Sequence, residues 1–292
     1  MPLYAGIMFA LLGGIFMLCV LPLRRFNRAG ALPLFPTDGM GSGLFNAPFP
    51  NRNDAAYTVV ILLLFMSAQA AILWKGLLPQ PEHAAEGQMA GITALLFNLG
   101  LEIVLYLPAL IRCARLPRMS GYKRLGVFRG VGLVVLTLLL ILLPAAGLEQ
   151  AGLYTWLNEV TGCPAQQEVV SELMESSGSE QLLLIFAAVV MAPICEEAFF
   201  RGCLFNLLRH CCGSVLPAAL IAGLAFGVIH GSLAQMLPLT IFGFMQCLVY
   251  ARCRTLCVPM AVHAVFNGLA VLNMLLGPQL QAFLEQYGQM PS

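Results

Sequence analysis

Two adjacent carboxylates stand inside an apolar stretch, Ala192-Pro193-Ile194-Cys195-Glu196-Glu197-Ala198-Phe199-Phe200-Arg201-Gly202. Ionisable side chains within a bilayer cost about 2.5–3.5 kcal/mol each on insertion scales, so they mark cavities or chemistry. On a helix Glu197 and Arg201 are i and i+4 and pair on one face, which lowers the cost of burying both. Glu196 lies about 100° further round the helix and falls outside that pair. A carboxylate held in a poorly solvated place is suited to general-base work near neutral pH. The pair of glutamates therefore divides into one structural and one reactive residue. The bland alternative is a buried ion pair with a second acid facing water.

Two further pieces lie downstream. Phe226-Gly227-Val228-Ile229-His230 closes an apolar segment, where a histidine serves either as a structural hydrogen-bonder or as a catalyst. In His263-Ala264-Val265-Phe266-Asn267 the histidine and the amide are i and i+4, so both project to one face. Two donors on one face can hold a developing oxyanion, and they can equally join helices inside a membrane. Glu102 stands apart in an earlier apolar segment, where a structural or auxiliary role is expected. Asn273 adds one more amide. Five of the six intramembrane ionisable residues thus fall in the last third of the chain, and that concentration is the main functional signal.

These side chains need helices to position them. Hydrophobic residues make up 59% of the 292 and charged residues only 10%, against about 25% in a soluble domain, so the composition is that of a membrane protein. Crossing the hydrocarbon core takes about 20 apolar residues as a helix. Eight spans are expected, near 3–23, 57–78, 89–111, 130–148, 182–208, 214–230, 233–250 and 256–276. The fold class is therefore an all-α, polytopic transmembrane helix bundle. The first apolar run has no basic residues before it and reads as an uncleaved span. On this alternating map 13 of the 15 basic residues fall on one side, the side expected to be cytoplasmic. The loop from Glu149 to Glu180 carries six glutamates and no Lys or Arg. Both termini are then expected outside, in a multi-pass protein of the cell membrane.

Glu-Glu-x3-Arg, Phe-x3-His and His-x3-Asn, in this order on three spans, resemble the three signature motifs of the CPBP family of intramembrane proteases. That family includes the type II CAAX prenyl endopeptidases and the lysostaphin-resistance-protein-A-like proteins. The resemblance covers about Leu182 to Asn273, and every signature position is filled. It implies a catalytic core over 181–276, with an N-terminal membrane extension over 1–180 and a short tail over 277–292. It further implies Glu196 as general base, His230 holding and polarising the attacking water, and Glu197 and Arg201 positioning the motif helix. His263 and Asn267 would stabilise the oxyanion. The implied reaction is endoproteolysis in or near the membrane without an acyl-enzyme, and no serine or cysteine occupies a motif position.

Glu196, His230 and His263 are chemically fit to hold Zn²⁺ and leave a position for water. There is no HExxH, whose two histidines on one helix would make zinc strongly expected. Metal-free glutamate catalysis is therefore the favoured reading. Straight helices with the boundaries given above would put Glu196 and His230 at different depths, so the two meet only if helices tilt, break near Pro193 or Pro217, or start deeper than these boundaries. Partners are membrane lipids and a peptide or membrane-protein substrate, either CAAX-type or a small peptide. Nucleic acid is excluded, because no basic stripe with interleaved aromatics occurs. The ten cysteines are scattered, and Cys253 and Cys257 have no matching second pair for a zinc site. Two rival classes exist. A proton-coupled transporter would spread its polar residues over both halves, and a non-catalytic scaffold or bacteriocin-immunity protein would tolerate loss of a motif residue. Neither pattern is present.

Overall fold

The computed structural model describes residues 127–161, 173–230, 232–253 and 255–288, with isolated positions within 6–17, 57–64 and 100–111. Every described element is helical. Helix α1 (Val127–Gln150) and the short α2 (Leu153–Thr161) precede the region that carries the motifs. Then one uninterrupted helical run passes through α3 (Gly178–Phe186), the π-helical segment Ala187–Met191 and α4 (Ala192–Glu197). It continues through a second π-helical segment, Ala198–Phe205, into α5 (Asn206–Cys212). Helices α6 (Val215–Ile229), α7 (Leu233–Cys253) and α8 (Cys257–Gly288) complete the chain.

Three helices among the described residues are long and apolar enough to cross a bilayer: Gly178–Arg209, Gln235–Cys253 and Cys257–Gly277. Val135–Gln150 within α1 and Val215–Ile229 are shorter apolar helices. The expected spans 3–23, 57–78 and 89–111 lie largely outside the described residues, as does Glu102. The last helix continues past the expected end of its span at 276 and runs to Gly288. Leu182, Leu216, Leu220 and Leu272 are exposed, as suits helices solvated by lipid tails.

The run from Gly178 stays helical through Pro193 because it is rewound rather than broken. A proline inside a helix removes one N–H and crowds the carbonyl four residues earlier. Here the turn before it widens to π geometry, with the Ala192 N–H reaching back to the Ala187 carbonyl. Such π-bulges are rare and occur often at functional sites. The second π segment is buried throughout.

The run ends at Gly213, whose φ of 70° is the left-handed conformation that glycine adopts without steric cost. Ser214 is extended, and α6 returns alongside. The α6–α7 seam that follows is packed through backbone. A Cβ on Gly223 would meet the Phe244 nitrogen at 2.6 Å and the Thr240 carbonyl oxygen at 2.8 Å. One turn later, a Cβ on Gly227 would collide with the Thr240 hydroxyl and the Met236 carbonyl. Facing them, Gly243 approaches Gly223 and Phe226. Small residues at i and i+4 let membrane helices come this close, where dispersion and backbone contacts hold them.

Candidate active site

The hairpin through Gly213 settles the question of depth. Glu196 precedes Gly213 by 17 residues (213 − 196) and His230 follows it by 17 (230 − 213), so the two arms carry them to matching heights. The expected mismatch came from ending the fifth span at 208. The helix continues through Cys212, and the turn is only Gly213–Ser214. Neither Pro193 nor Pro217 breaks its helix: the first is absorbed by π winding, and the second lies in the first turn of α6. Aromatic contact across the hairpin follows the same register, with Phe200 and Phe226 edge-to-face at 5.0 Å.

Glu197 is the hub of the site. Its side chain and that of Arg201 are fully buried, and Arg201 Nη1 lies 2.9 Å from Glu197 Oε1. The same carboxylate oxygen accepts from His263 Nδ1 at 2.9 Å and from Gln246 Nε2 at 3.4 Å. A cation from the same helical run and donors from α7 and α8 thus converge on one atom. Arg201 is further held by the Gly243 carbonyl at 3.4 Å and by the Phe226 ring, whose centroid lies 4.8 Å from the guanidinium carbon. Truncating one partner of such a buried pair costs about 3–5 kcal/mol, because the other charge is left uncompensated.

Glu196 faces a different environment. Its side chain keeps 16% exposure, and its Oε2 lies 3.9 Å from His263 Nε2. His263 therefore stands between the two glutamates, with Nδ1 on Glu197 and Nε2 toward Glu196. Phe226 and Phe242 enclose its ring edge-to-face, at 5.8 and 4.9 Å.

His230 caps the C-terminus of α6. Its Nδ1 lies 2.7 Å from the Phe226 carbonyl oxygen, one of the carbonyls a helix end leaves without a partner. A carbonyl only accepts, so Nδ1 carries the hydrogen and Nε2 of the neutral ring keeps its lone pair. Phe226 contacts both histidines, with His230 4.6 Å away between ring centroids. The spacing Phe-x3-His thus lets one residue supply the cap acceptor and the wall between the two imidazoles.

Asn267 donates from Nδ2 to the Ala188 carbonyl at 2.7 Å. That carbonyl is short of partners for a reason written in the sequence. The N–H four residues on, from Ala192, is taken by Ala187 in the π turn, and the residue five on is Pro193, which has no N–H. Asn267 supplies the missing donor, and its amide retains a second hydrogen. Of the six residues singled out from sequence, Glu196, Glu197, Arg201 and His263 form one cluster. His230 joins it through Phe226, and Asn267 lies one turn along α8.

The candidate metal ligands do not fit zinc as arranged. Among the described residues no three His, Cys, Asp or Glu side chains come close enough together to hold a metal ion, and Glu196, His230 and His263 form no such group. Sequence reading missed Gln246, and the signal for it was available: a buried amide inside the apolar helix α7.

Residues 178–269 match a family model described as type II CAAX prenyl endopeptidase Rce1-like. The match opens on the first residue of α3 and ends two residues beyond Asn267. Over this segment the chain resembles the Rce1-like type II CAAX prenyl endopeptidase (CPBP) family. Over 127 residues the chain is 31% identical to a Bacillus subtilis (strain 168) protein named "Putative membrane peptidase YdiL", covering 44% of this chain and 50% of that one. It is 25% identical over 120 residues to an "Uncharacterized 24.3 kDa protein" of Escherichia coli, covering 40% of this chain and 55% of that protein. The chain thus spans about half the length of the curated relatives it matches. No solved structure matches it. Apolar helices long enough to cross a bilayer, beside a relative named as a membrane peptidase, mark this as an integral membrane protein. The three motifs fall on α4 with its following π segment, on α6 and on α8, all inside the matched range.

Proposed function

We propose that the chain is an intramembrane endopeptidase in which Glu196 activates water against a peptide carbonyl. The observation that carries this reading is the division of labour between adjacent carboxylates. Glu197 has an ion pair and two hydrogen-bond donors on a single oxygen, whereas Glu196 stays partly accessible beside His263. A residue as engaged as Glu197 organises the site, and the more accessible one is available for chemistry.

In this mechanism the lone pair on His230 Nε2 accepts one water hydrogen and aligns the molecule. Glu196 takes the other proton as the oxygen attacks the carbonyl carbon. His263 donates Nδ1–H to Glu197 and, when protonated, turns Nε2–H toward the developing oxyanion. The second amide hydrogen of Asn267 is the other donor. Glu196 then returns its proton to the departing amine nitrogen, the C–N bond breaks, and two peptide ends result. Arg201 and Glu197 act by holding the motif helix. The substrate class is a membrane-associated peptide bond, in a CAAX-type or small-peptide substrate, within surrounding lipid.

The test is cleavage of a quenched peptide library by detergent-purified protein. Glu196→Gln is expected to lower kcat by about 10²–10⁴-fold, the usual range for a general base. Removing the His263 donor with His263→Ala is expected to cost about 10²–10³-fold. A zinc chelator is expected to leave wild-type cleavage unchanged. Cleavage that survives Glu196→Gln would overturn the mechanism. A folded wild type that cleaves nothing would favour a non-catalytic scaffold.

A further inference from the structure

Gln246 belongs to none of the three motifs, yet it reaches the hub from the middle of α7 with no exposed surface. Its amide nitrogen donates in two directions: to Glu197 Oε1 at 3.4 Å and to the Pro259 carbonyl at 2.8 Å. Pro259 lies four residues before His263 on α8, one helical turn away. In the i→i−4 pattern its carbonyl is also the acceptor for the backbone N–H of His263. One NH₂ group thus ties the carboxylate of the motif helix to the turn of α8 that carries the histidine.

The amide oxygen of Gln246 has no hydrogen-bond partner among the described residues. A buried acceptor without a partner is unfavourable, and an apolar side chain of the same length would avoid it. The side chain is therefore placed for its two donor hydrogens, and both go to the elements that set His263.

We infer that Gln246 is a positioning residue, which fixes the axial register of α8 against the Glu196–Glu197 helix and so sets where His263 Nε2 meets Glu196. It acts through His263 and Glu197 and touches no substrate. The same contact explains how α8 resists sliding along its neighbours. A further polar anchor of α8 to the motif run, Asn267 on Ala188, is one turn away from the histidine.

This inference rests on the endopeptidase reading, and the experiment separates the two. Gln246→Met keeps length and volume and removes both donors; Gln246→Asn keeps the amide on an arm one methylene shorter. A register shift near 1 Å at reacting groups can cost about 100-fold. Gln246→Met is therefore expected to lower kcat about 100-fold, with KM within twofold and the thermal midpoint close to wild type, and Gln246→Asn is expected to fall between. The second readout needs no activity. Exchange of the His263 Nδ1 hydrogen with water, followed by ¹⁵N NMR and assigned with His263→Gln, should be slow in wild type and fast in both Gln246 variants. Wild-type kcat together with wild-type exchange in Gln246→Met would overturn the inference while leaving the endopeptidase reading intact. If the wild type cleaves no peptide, that reading fails and the exchange measurement alone decides the role of Gln246. Should Gln246→Met not fold, Gln246→Asn carries both measurements.

Discussion

The α6–α7 seam and the hub around Glu197 lie side by side and are held together by opposite means. At the seam two backbones touch through Gly223, Gly227 and Gly243, and shape alone fixes the distance. At the hub three side chains from the motif run, α7 and α8 meet on one carboxylate oxygen of Glu197, and charge fixes the arrangement. The two are linked at Gly243, which approaches Gly223 and gives its carbonyl to Arg201. Backbone packing is insensitive to charge but tolerates no added atom. A polar hub tolerates small shifts in volume but not the loss of its charged partner. The candidate site residues are thus placed by both: the seam sets the height of Phe226 and His230, and the hub orients His263.

The sharpest way to break this contrast is Arg201→Leu. It leaves the Glu197 charge buried with no cation, and the expected cost is about 3–5 kcal/mol, read as a lower unfolding midpoint in micelles. Arg201→Leu combined with Glu197→Gln should recover much of that loss, since no uncompensated charge remains. If the double variant is no better than the single one, the hub is not held by charge.

At the seam, Gly223→Ala adds one methyl against backbone that cannot move aside. An expected loss of about 1–3 kcal/mol follows from overpacking, with loss of cleavage as α6 is pushed away. No change at Gly223→Ala would mean that the helices are not in backbone contact. Asn267→Leu should cost about 1–3 kcal/mol, because it strips the Ala188 carbonyl of its donor. Pro193→Ala supplies an N–H in the same turn and should reduce that cost, which a double-mutant cycle would measure as coupling. The smallest effect is expected at Gly268→Ala on α8. There the nearest atom to an added Cβ is Val189 Cγ1 at 3.8 Å, and alanine should stabilise the helix by up to about 1 kcal/mol. That result beside Gly223→Ala would separate glycines that permit close approach from one that does not.

The residues of the site were legible from the sequence because they are costly where they stand. A carboxylate, a guanidinium or an imidazole in an apolar run is conspicuous, and i, i+4 spacing already pairs Glu197 with Arg201. Gln246 escaped notice because a single amide inside an apolar helix is common enough to pass as glue between helices. The heights of Glu196 and His230 were misread for a simple reason: hydropathy marks where a helix is apolar and does not mark where it turns. The left-handed Gly213 places that turn, five residues beyond the expected end of the span.

By itself, then, the sequence determined an apolar helical membrane chain, the candidate side chains of the site and their grouping into three motifs. These follow from solvation cost and helical period, which are local properties. Only the tertiary structure decided that His263 bridges the two glutamates, that Asn267 repairs a carbonyl stranded by Pro193, and that Gln246 joins α8 to the motif helix. Those contacts span 66, 79 and 49 residues respectively. Which side chains meet at such separations depends on how far each helix runs before it turns and on how closely its neighbours can pack, and neither is encoded in any one segment.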